Sequence, residues 1–182
     1  CKILVCAVLR EGKAVAPDGN FVLREGDRIF VTAFTNILTT LLKNLGIITH
    51  RTKRVIICGG GRISYYLAKQ LESSGIGIQI IEKDSGRCRQ LATILPAANI
   101  IQGDASSQFL LEGEGISGCD ALVTMTGLDE QNMIISLYGM NCGIPQVITK
   151  LGHIENMNIL GSLSLDSVVS PKELCCNTIV QY

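Results

Sequence analysis

Apolar residues fall along this chain in two rhythms, and the rhythm changes near residue 50. From Arg54 onward, short runs that are almost wholly apolar alternate with longer segments of helical spacing. The runs predict strands at 54–58, 77–82, 98–102, 120–125, 146–150 and 166–169. The segments between them predict helices at 62–74, 85–95, 106–113, 129–142 and 154–162, with a last helix from Pro171. Strands without polar alternation fit a parallel sheet covered on both faces. Repeated β-α units with right-handed crossovers build such a sheet into a doubly wound α/β domain. Pro171 suits the first turn of the last helix, where a missing N–H costs nothing. That helix carries Leu174, Cys175, Thr178 and Ile179 as a stripe, and no strand follows for it to cover.

Residues 1 to 46 read differently. Apolar runs there are broken by the turn signals Glu11-Gly12, Asp18-Gly19 and Glu25-Gly26-Asp27. Ile37, Leu38, Leu41, Leu42 and Leu45 then make one helical face, with Thr35 or Asn36 expected as N-cap and Gly46 as the stop. A hairpin and one helix bury too little surface to stand alone. The expected organisation is part of a small α+β lobe at 1–46, a polar linker at 47–53 and a Rossmann-type domain at 54–182 with its last helix cut at Tyr182. The chain opens on Cys1 rather than Met, which predicts a piece of a longer polypeptide.

Composition narrows the classes. Of 182 residues, 47% are hydrophobic and 18% charged, which suits a folded core rather than disorder. Lys plus Arg balances Asp plus Glu at 16 each, so no net field favours nucleic acid or acidic lipid. The longest apolar runs are too short to insert in a bilayer as a spanning helix. Eight cysteines occur without a C-x-x-C pair. They read as reduced, mostly buried thiols rather than as metal or disulfide positions.

The chemistry concentrates at "CGGGRIS", where strand 54–58 meets its helix. Gly59, Gly61 and Ser64 fit G-x-G-x-x-G with serine in the third place. Gly59 allows the tight turn, and Gly60 continues it. Gly61, lacking Cβ, lets a pyrophosphate approach the backbone, and the third position packs helix on strand. The helix that opens at Arg62 and Ile63 directs its free amides at an anion. Glu82 ends the next strand, roughly 20 residues beyond Gly61, the separation expected of a ribose-diol acceptor. The plain alternative is a strand-end charge. An acid there favours NAD over NADP, although Lys83 and Arg87 lie close by in sequence.

Two further strand ends converge on the same edge. "QGDAS" brings Gly103, Asp104 and Ala105 after the third strand, and "MTGLDEQN" brings Thr126 and Gly127 after the fourth. Ligands of open parallel sheets bind outside the carboxyl ends of the strands, so the loops describe one pocket. Asp129 reads as a helix N-cap. Asp104 reads equally as a cap of its own short helix or as an adenosine contact. Lys150 reads as a phosphate contact, a subunit contact or a surface lysine.

Acids, bases and nucleophiles are scarce. His50 lies in the linker and His153 at a helix start, where a lone histidine is more often solvated than catalytic. Tyr65-x-x-x-Lys69 has a dehydrogenase spacing but lies inside the helix after the glycine turn, directed away from a nicotinamide. No catalytic residue and no metal ligand set is expected. A bound nucleotide is therefore read as sensed rather than consumed. A small NAD-dependent oxidoreductase fragment and a Rossmann-shaped assembly domain with an empty pocket are the competing readings.

Residues 54–182, with "GDAS", "LLEGEGI", "LDEQN" and "VVSPKE", resemble the nucleotide-binding domain of the RCK, or KTN, family, found in Trk-type potassium-uptake regulatory subunits. The segment "AVLREGKAVAPDGNFVLREGDRIFV" resembles the small C-terminal lobe that follows such a domain. A lobe preceding a domain implies a tandem protein, cut across its junction. The resemblance implies a regulatory, non-catalytic subunit that binds NAD(H), or alternatively ADP or ATP, and gates a membrane potassium-translocating subunit. It implies self-association as a dimer or higher ring, partly through the last helices. It also implies a cytoplasmic location, peripheral on the inner face of the plasma membrane. It would place Gly59, Gly61, Arg62 and Ile63 on the phosphates, and Glu82 and Lys83 at the ribose. Asp104, Ala105, Thr126 and Gly127 would line the adenine side and the pocket wall. Ser64 is the departure from the family pattern.

Overall fold

A computed structural model of the chain describes residues 3–46, 52–153 and 167–180. The backbone divides into two compact units, Cys1–Arg51 and Thr52–Tyr182.

In the first unit, β1 (Leu4–Arg10), β2 (Lys13–Val15) and β3 (Arg28–Thr32) form an antiparallel sheet in the order β2-β1-β3. Glu11 and Gly12 join β1 to β2 with φ of 51° and 77°, the two left-handed residues that a tight two-residue hairpin needs. Helix α1 (Thr35–Asn44) follows. Neither Thr35 nor Asn36 is its N-cap. Phe34 occupies that position in extended conformation, without a side-chain cap, and both expected residues are already inside the first turn. Gly46 ends the helix with φ of 69°, donating its N–H to Lys43. Val8 is the buried hydrophobic residue among those described in this unit.

The second unit contains six parallel strands: β4 (Arg54–Cys58), β5 (Gly77–Glu82), β6 (Asn99–Gln102), β7 (Ala121–Thr124), β8 (Gln146–Lys150) and β9 (Ser167–Val169). Their spatial order is β6-β5-β4-β7-β8-β9. Chain order therefore reverses between β4 and β7, the switch point at which such sheets open a crevice.

Side chains alternate across this sheet. Val55 and Ile57 join Ile78, Ile80 and Val123 on one face, under Ala68 of α2 (Arg62–Ser73) and Leu91 of α3 (Ser85–Ile94). Ile56 and Cys58 join Ile81 and Leu122 on the other. There they meet Leu111 of α4 (Gln108–Gly113), Ile116 of a 3-10 turn, and Ile135 of α5 (Asp129–Asn141). Both faces are covered, which is why the strands are apolar throughout.

Two expected caps are corrected. Ser107, not Asp104, caps α4, its hydroxyl accepting the Leu110 N–H at 3.3 Å. The residue that caps α5 by position is Leu128. Asp129 is the first helical residue, and its carboxylate leaves the helix to accept the amides of Gly152 at 2.8 Å and His153 at 3.0 Å. An aspartate at either position fits local capping statistics, but distant backbone amides claim Asp129, and Ser106 with the side chains of Gln131 and Lys83 claims Asp104. The last helix, α6 (Pro171–Val180), starts on proline as expected. Its residues after Ser170 are largely exposed, Leu174 at 57% and Ile179 at 73%. The helix expected at 154–162 and His50 lie outside the described residues.

Among the described cysteines, Cys58, Cys88 and Cys119 are buried, Cys142 is half-buried, and Cys6, Cys175 and Cys176 are exposed. Burial raises the Cys58 thiol to about 12 and Cys119 to about 11, so both stay protonated and inert near neutrality. The expectation of mostly buried thiols fails for the three exposed ones, which lie on the small sheet and on α6. Among the described residues, no helix is long and apolar enough to cross a membrane and no cluster of metal-ligating side chains occurs.

Candidate functional site

Strand β4 ends at Cys58 and the chain turns on three glycines with three different surroundings. Gly59 has φ of 102°, and a Cβ there would lie 2.8 Å from the Met125 carbonyl oxygen. Only glycine fits that backbone without strain. A Cβ on Gly60 would lie 2.6 Å from Leu91 and 2.9 Å from Glu82. A Cβ on Gly61 would meet no protein atom within 4 Å. The first two glycines serve packing and the third leaves open space. Gly61 is also the N-cap of α2 and has no side chain to satisfy the first-turn amides, which are the donors an anion uses.

The polar groups of the turn are tied back to the protein. Gly59 donates to the Ile81 carbonyl at 2.8 Å. Its own carbonyl accepts from Ser64 Oγ at 2.5 Å, and Ser64 is fully buried. Serine thus serves the third motif position by fastening the turn to the helix. Gly60 donates to Glu82 Oε2 at 2.5 Å, while Glu82 Oε1 accepts the Asp84 amide at 2.8 Å.

A cavity of about 290 Å³ opens beside this turn. Its walls bring together Gly59, Glu82, Lys83, Gly103, Asp104, Ala105, Thr126 and Gly127 of the expected set, from the ends of four strands. Gly60, Gly61, Arg62 and Ile63 do not line it. They flank it at the start of α2, where Arg62 and Ile63 are exposed. Ile81, Leu128 and Gln131 complete the lining and were not foreseen.

Asp104 forms the far wall. Its Oδ1 accepts the Ser106 hydroxyl at 2.7 Å and amide at 2.9 Å, and the Gln131 amide group at 3.1 Å. Its Oδ2 lies 3.1 Å from Lys83 Nζ. The Ser106 hydroxyl first, then its amide, then Lys83 hold the Asp104 carboxyl at about 2, so it is anionic at any physiological pH. Asp104 and Lys83 together close the mouth between β5 and β6 with a mixed-charge pair.

The opposite wall is a polar relay. Thr126 donates its amide to Asn132 Oδ1 at 2.8 Å, and its carbonyl accepts Lys150 Nζ at 2.7 Å. Asn132 Nδ2 reaches the Lys150 carbonyl at 3.0 Å. Lys150 is thus engaged by the pocket wall. Beneath it, Thr124, Ser136 and Thr149 form a buried hydroxyl chain, with Ser136 Oγ 2.9 and 2.7 Å from its neighbours. The sequence signal for this wall was present in α5: Asp129, Asn132, Ser136 and Gly139 share one buried face at helical spacing. His153 Nδ1 lies 2.9 Å from Asp129, and neither residue lines the cavity. Tyr65 packs on the core, edge-on to Tyr66 at 5.1 Å between ring centres.

Arg87 was noted from sequence only as a neighbouring charge. It reaches the turn from α3, its Nε donating to the Gly60 carbonyl at 2.6 Å. Nothing in local sequence spacing announces this contact, because it depends on how α3 lies across the turn.

The arrangement has donors for an anion at α2 and carboxylates beside a cavity of about 290 Å³. The family model described as the TrkA-N domain matches residues 55–171. The Trk system potassium uptake protein TrkA of Haemophilus influenzae is 31% identical over 182 residues, covering 100% of this chain and 39% of that protein. A TrkA homolog of Archaeoglobus fulgidus is 32% identical over 178 residues, covering 97% of this chain and 40% of that protein. The chain thus spans about two fifths of the length of these relatives. Among solved structures, the GsuK channel bound to NAD superposes with a TM-score of 0.64 at 20% identity, over 97% of this chain and 31% of that one. That likeness is one of fold.

Proposed function

The chain belongs to the TrkA-N domain family, and from that premise we propose that it is the nucleotide-sensing part of a Trk-type potassium-uptake regulatory subunit. Its pocket takes NAD(H), with ADP or ATP as the alternative ligands. Phosphates lie against Gly61, Arg62 and Ile63, the ribose at Glu82 and Lys83, and the adenine side at Asp104 and Ala105, with Thr126 and Gly127 as the wall. The observation that carries this reading is the pairing of an open Gly61 and uncapped α2 terminus, flanking the cavity, with a strand-end carboxylate, Glu82, in its wall. The likeness to the GsuK channel bound to NAD supports the ligand class, and the likeness to Trk system potassium uptake proteins supports the potassium role.

The proposed role is regulatory, without turnover. Nucleotide occupancy biases a cytoplasmic assembly, peripheral on the inner membrane face, that gates a potassium-translocating membrane subunit. Moving a two-state assembly from 1:99 to 99:1 takes about 5.5 kcal/mol of differential binding. Shared among several pockets, that is roughly one charge-assisted hydrogen bond each. The small lobe, with β3 exposed and α1 without a buried residue, belongs in this reading to a preceding unit of a tandem protein and is completed by self-association as a dimer or ring.

Calorimetry with NAD, NADH, ADP and ATP tests the pocket. Gly61→Leu places its Cβ where no protein atom lies within 4 Å, so the fold is expected to survive while phosphate approach is blocked. Binding by the wild-type chain and its loss in Gly61→Leu is the expected result. Equal affinity in both proteins would remove the pocket assignment.

A further inference from the structure

The glycine turn is gripped from one side by the connection between β5 and α3. Asp84 caps α3 and accepts the Arg87 amide at 2.6 Å, which fixes Arg87 in the first turn. From there the guanidinium runs back to the turn. Its Nε donates to the Gly60 carbonyl at 2.6 Å, Nη2 makes a longer contact of 3.4 Å with the Gly61 carbonyl, and Nη1 lies 3.3 Å from Gln90 Oε1. Glu82 meanwhile accepts the Gly60 N–H. The Gly60 residue is therefore held at both ends by opposite charges. Among the described residues no carboxylate forms an ion pair with Arg87, so its charge is left to act on the turn.

Two consequences follow for an anion. Carbonyl oxygens repel phosphate, and the Gly60 carbonyl is pinned under a cation, while the Gly61 carbonyl already accepts the Tyr65 N–H of α2 at 3.1 Å. The guanidinium also adds positive potential beside the uncapped start of α2, where a phosphate is drawn by free amides. A guanidinium next to the ribose acid is otherwise the group that accommodates a 2′-phosphate. Here three of its five N–H donors are directed at the turn and Gln90.

We propose that Arg87 is a positioning residue of the nucleotide pocket: by holding the Gly60 carbonyl it presents the turn to phosphate, and it leaves the ribose edge to Glu82, so that the site selects phosphorylated adenosine ligands with a free ribose diol. This rests on the nucleotide reading above and adds a residue and a selectivity to it. Arg87 acts through the backbone of the turn, without touching the ligand. Its effect scales with phosphate charge and is indifferent to the 2′-position.

The test is calorimetry on the 182-residue chain with NADH, NADPH and adenosine, the last probed at millimolar concentration. Wild type binds NADH more tightly than NADPH. R87Q weakens both by a similar factor, about tenfold, equivalent to about 1.4 kcal/mol, and leaves adenosine unchanged. R87K, which keeps the charge but not the guanidinium, recovers part of the loss. Unchanged NADH affinity in R87Q overturns the proposal. So does selective loss of NADPH, which would put Arg87 on the 2′-phosphate, and so does an equal loss for adenosine, which would make its role general packing. Should R87Q fail to fold, R87K carries the test: a shared, partial loss for both dinucleotides supports the proposal, and wild-type affinity overturns it. Absence of any binding by the wild-type chain is a separate result that overturns the nucleotide reading itself.

Discussion

Strand β3 reads Arg-Ile-Phe-Val-Thr and strand β4 reads Arg-Val-Ile-Ile-Cys. Both open on arginine and continue with at least three apolar residues. Every residue of β3 is exposed, whereas β4 is buried at all positions after Arg54. The difference lies in the surroundings. β4 is central in a parallel sheet, with α2 and α3 on one face and α4 and α5 on the other. β3 is the edge of a three-stranded sheet whose helix, α1, buries none of its residues. Apolar composition makes a strand, and its neighbours decide whether that strand becomes core. The large sheet stands on hydrophobic burial. The small one is organised around a charge: Asp27, with its side chain 2% exposed, takes two bonds from Arg10 and one from the Arg24 amide.

Truncation separates the two sheets most widely. Ile57 is fully buried between four elements. Ile57→Ala is expected to cost roughly 2–5 kcal/mol, read from urea unfolding. Phe30→Ala in β3 is expected to cost under about 1 kcal/mol, because Phe30 is already 50% exposed. Comparable losses at the two positions would show that the small sheet is covered in solution, as self-association would cover it.

A smaller contrast lies within one turn. Gly59→Ala puts a side chain on a backbone with φ of 102° and against the Met125 carbonyl. Strain of that kind costs about 1–3 kcal/mol. Gly61→Ala meets nothing and changes only the N-cap residue, for under about 1 kcal/mol. Melting temperatures of the pair check this, and equal shifts would mean that the turn relaxes around both.

Much of this was legible before the structure. The parallel sheet followed from unbroken apolar runs such as Val55–Cys58, and the pocket followed from where those runs ended. From Arg54 onward, the boundaries of the elements that fall in described residues held to within about two residues. What local patterns missed was set by tertiary neighbours. Asp129 and Asp104 looked like helix caps because cap preference is local, yet their acceptors are spent on Gly152, His153, Ser106 and Lys83. Arg87 gave no signal, since its contact with Gly60 spans 27 positions of sequence. The exposure of β3 was equally invisible in its composition.

Ser64 shows the limit of reading by fingerprint. Glycine is expected there for close packing, and Ser64 is fully buried, so it fits the space. Its hydroxyl holds the Gly59 carbonyl. Ser64→Gly restores the motif, removes that bond and adds the helix cost of glycine. It is expected to destabilise by roughly 1 kcal/mol. Stabilisation by Ser64→Gly would mean that the bond contributes nothing.

Acid is the mildest probe, and it acts on the small sheet through the feature that distinguishes it. The Arg10 guanidinium, followed by the Arg24 amide, holds the Asp27 carboxyl at about 2, below the ordinary range near 3.9. A carboxyl whose folded value is depressed binds its proton more readily when unfolded. Its contribution is therefore complete above about pH 4 and lost as pH falls through about 2. Asp104 is depressed to the same value in the other unit, so both units weaken across one window. They differ in what remains. With Asp27 protonated, the segment from Val22 to Asp27 loses its ion pair with Arg10 and keeps the bond from Arg10 to the Val22 carbonyl, and β1 to β3 have Val8 alone as a buried apolar residue among those described. The six-stranded sheet keeps two cores. Amide hydrogen exchange between pH 4 and pH 2, corrected for the intrinsic pH dependence, should show protection falling first in β1 and β3 and persisting in β4 and β7. Asp27→Asn should remove the pH dependence of β1 and β3 and leave that of the Asp104 wall. Simultaneous loss in both sheets would mean that the two units open together, and that the charge at Asp27 is not what sets the small sheet apart.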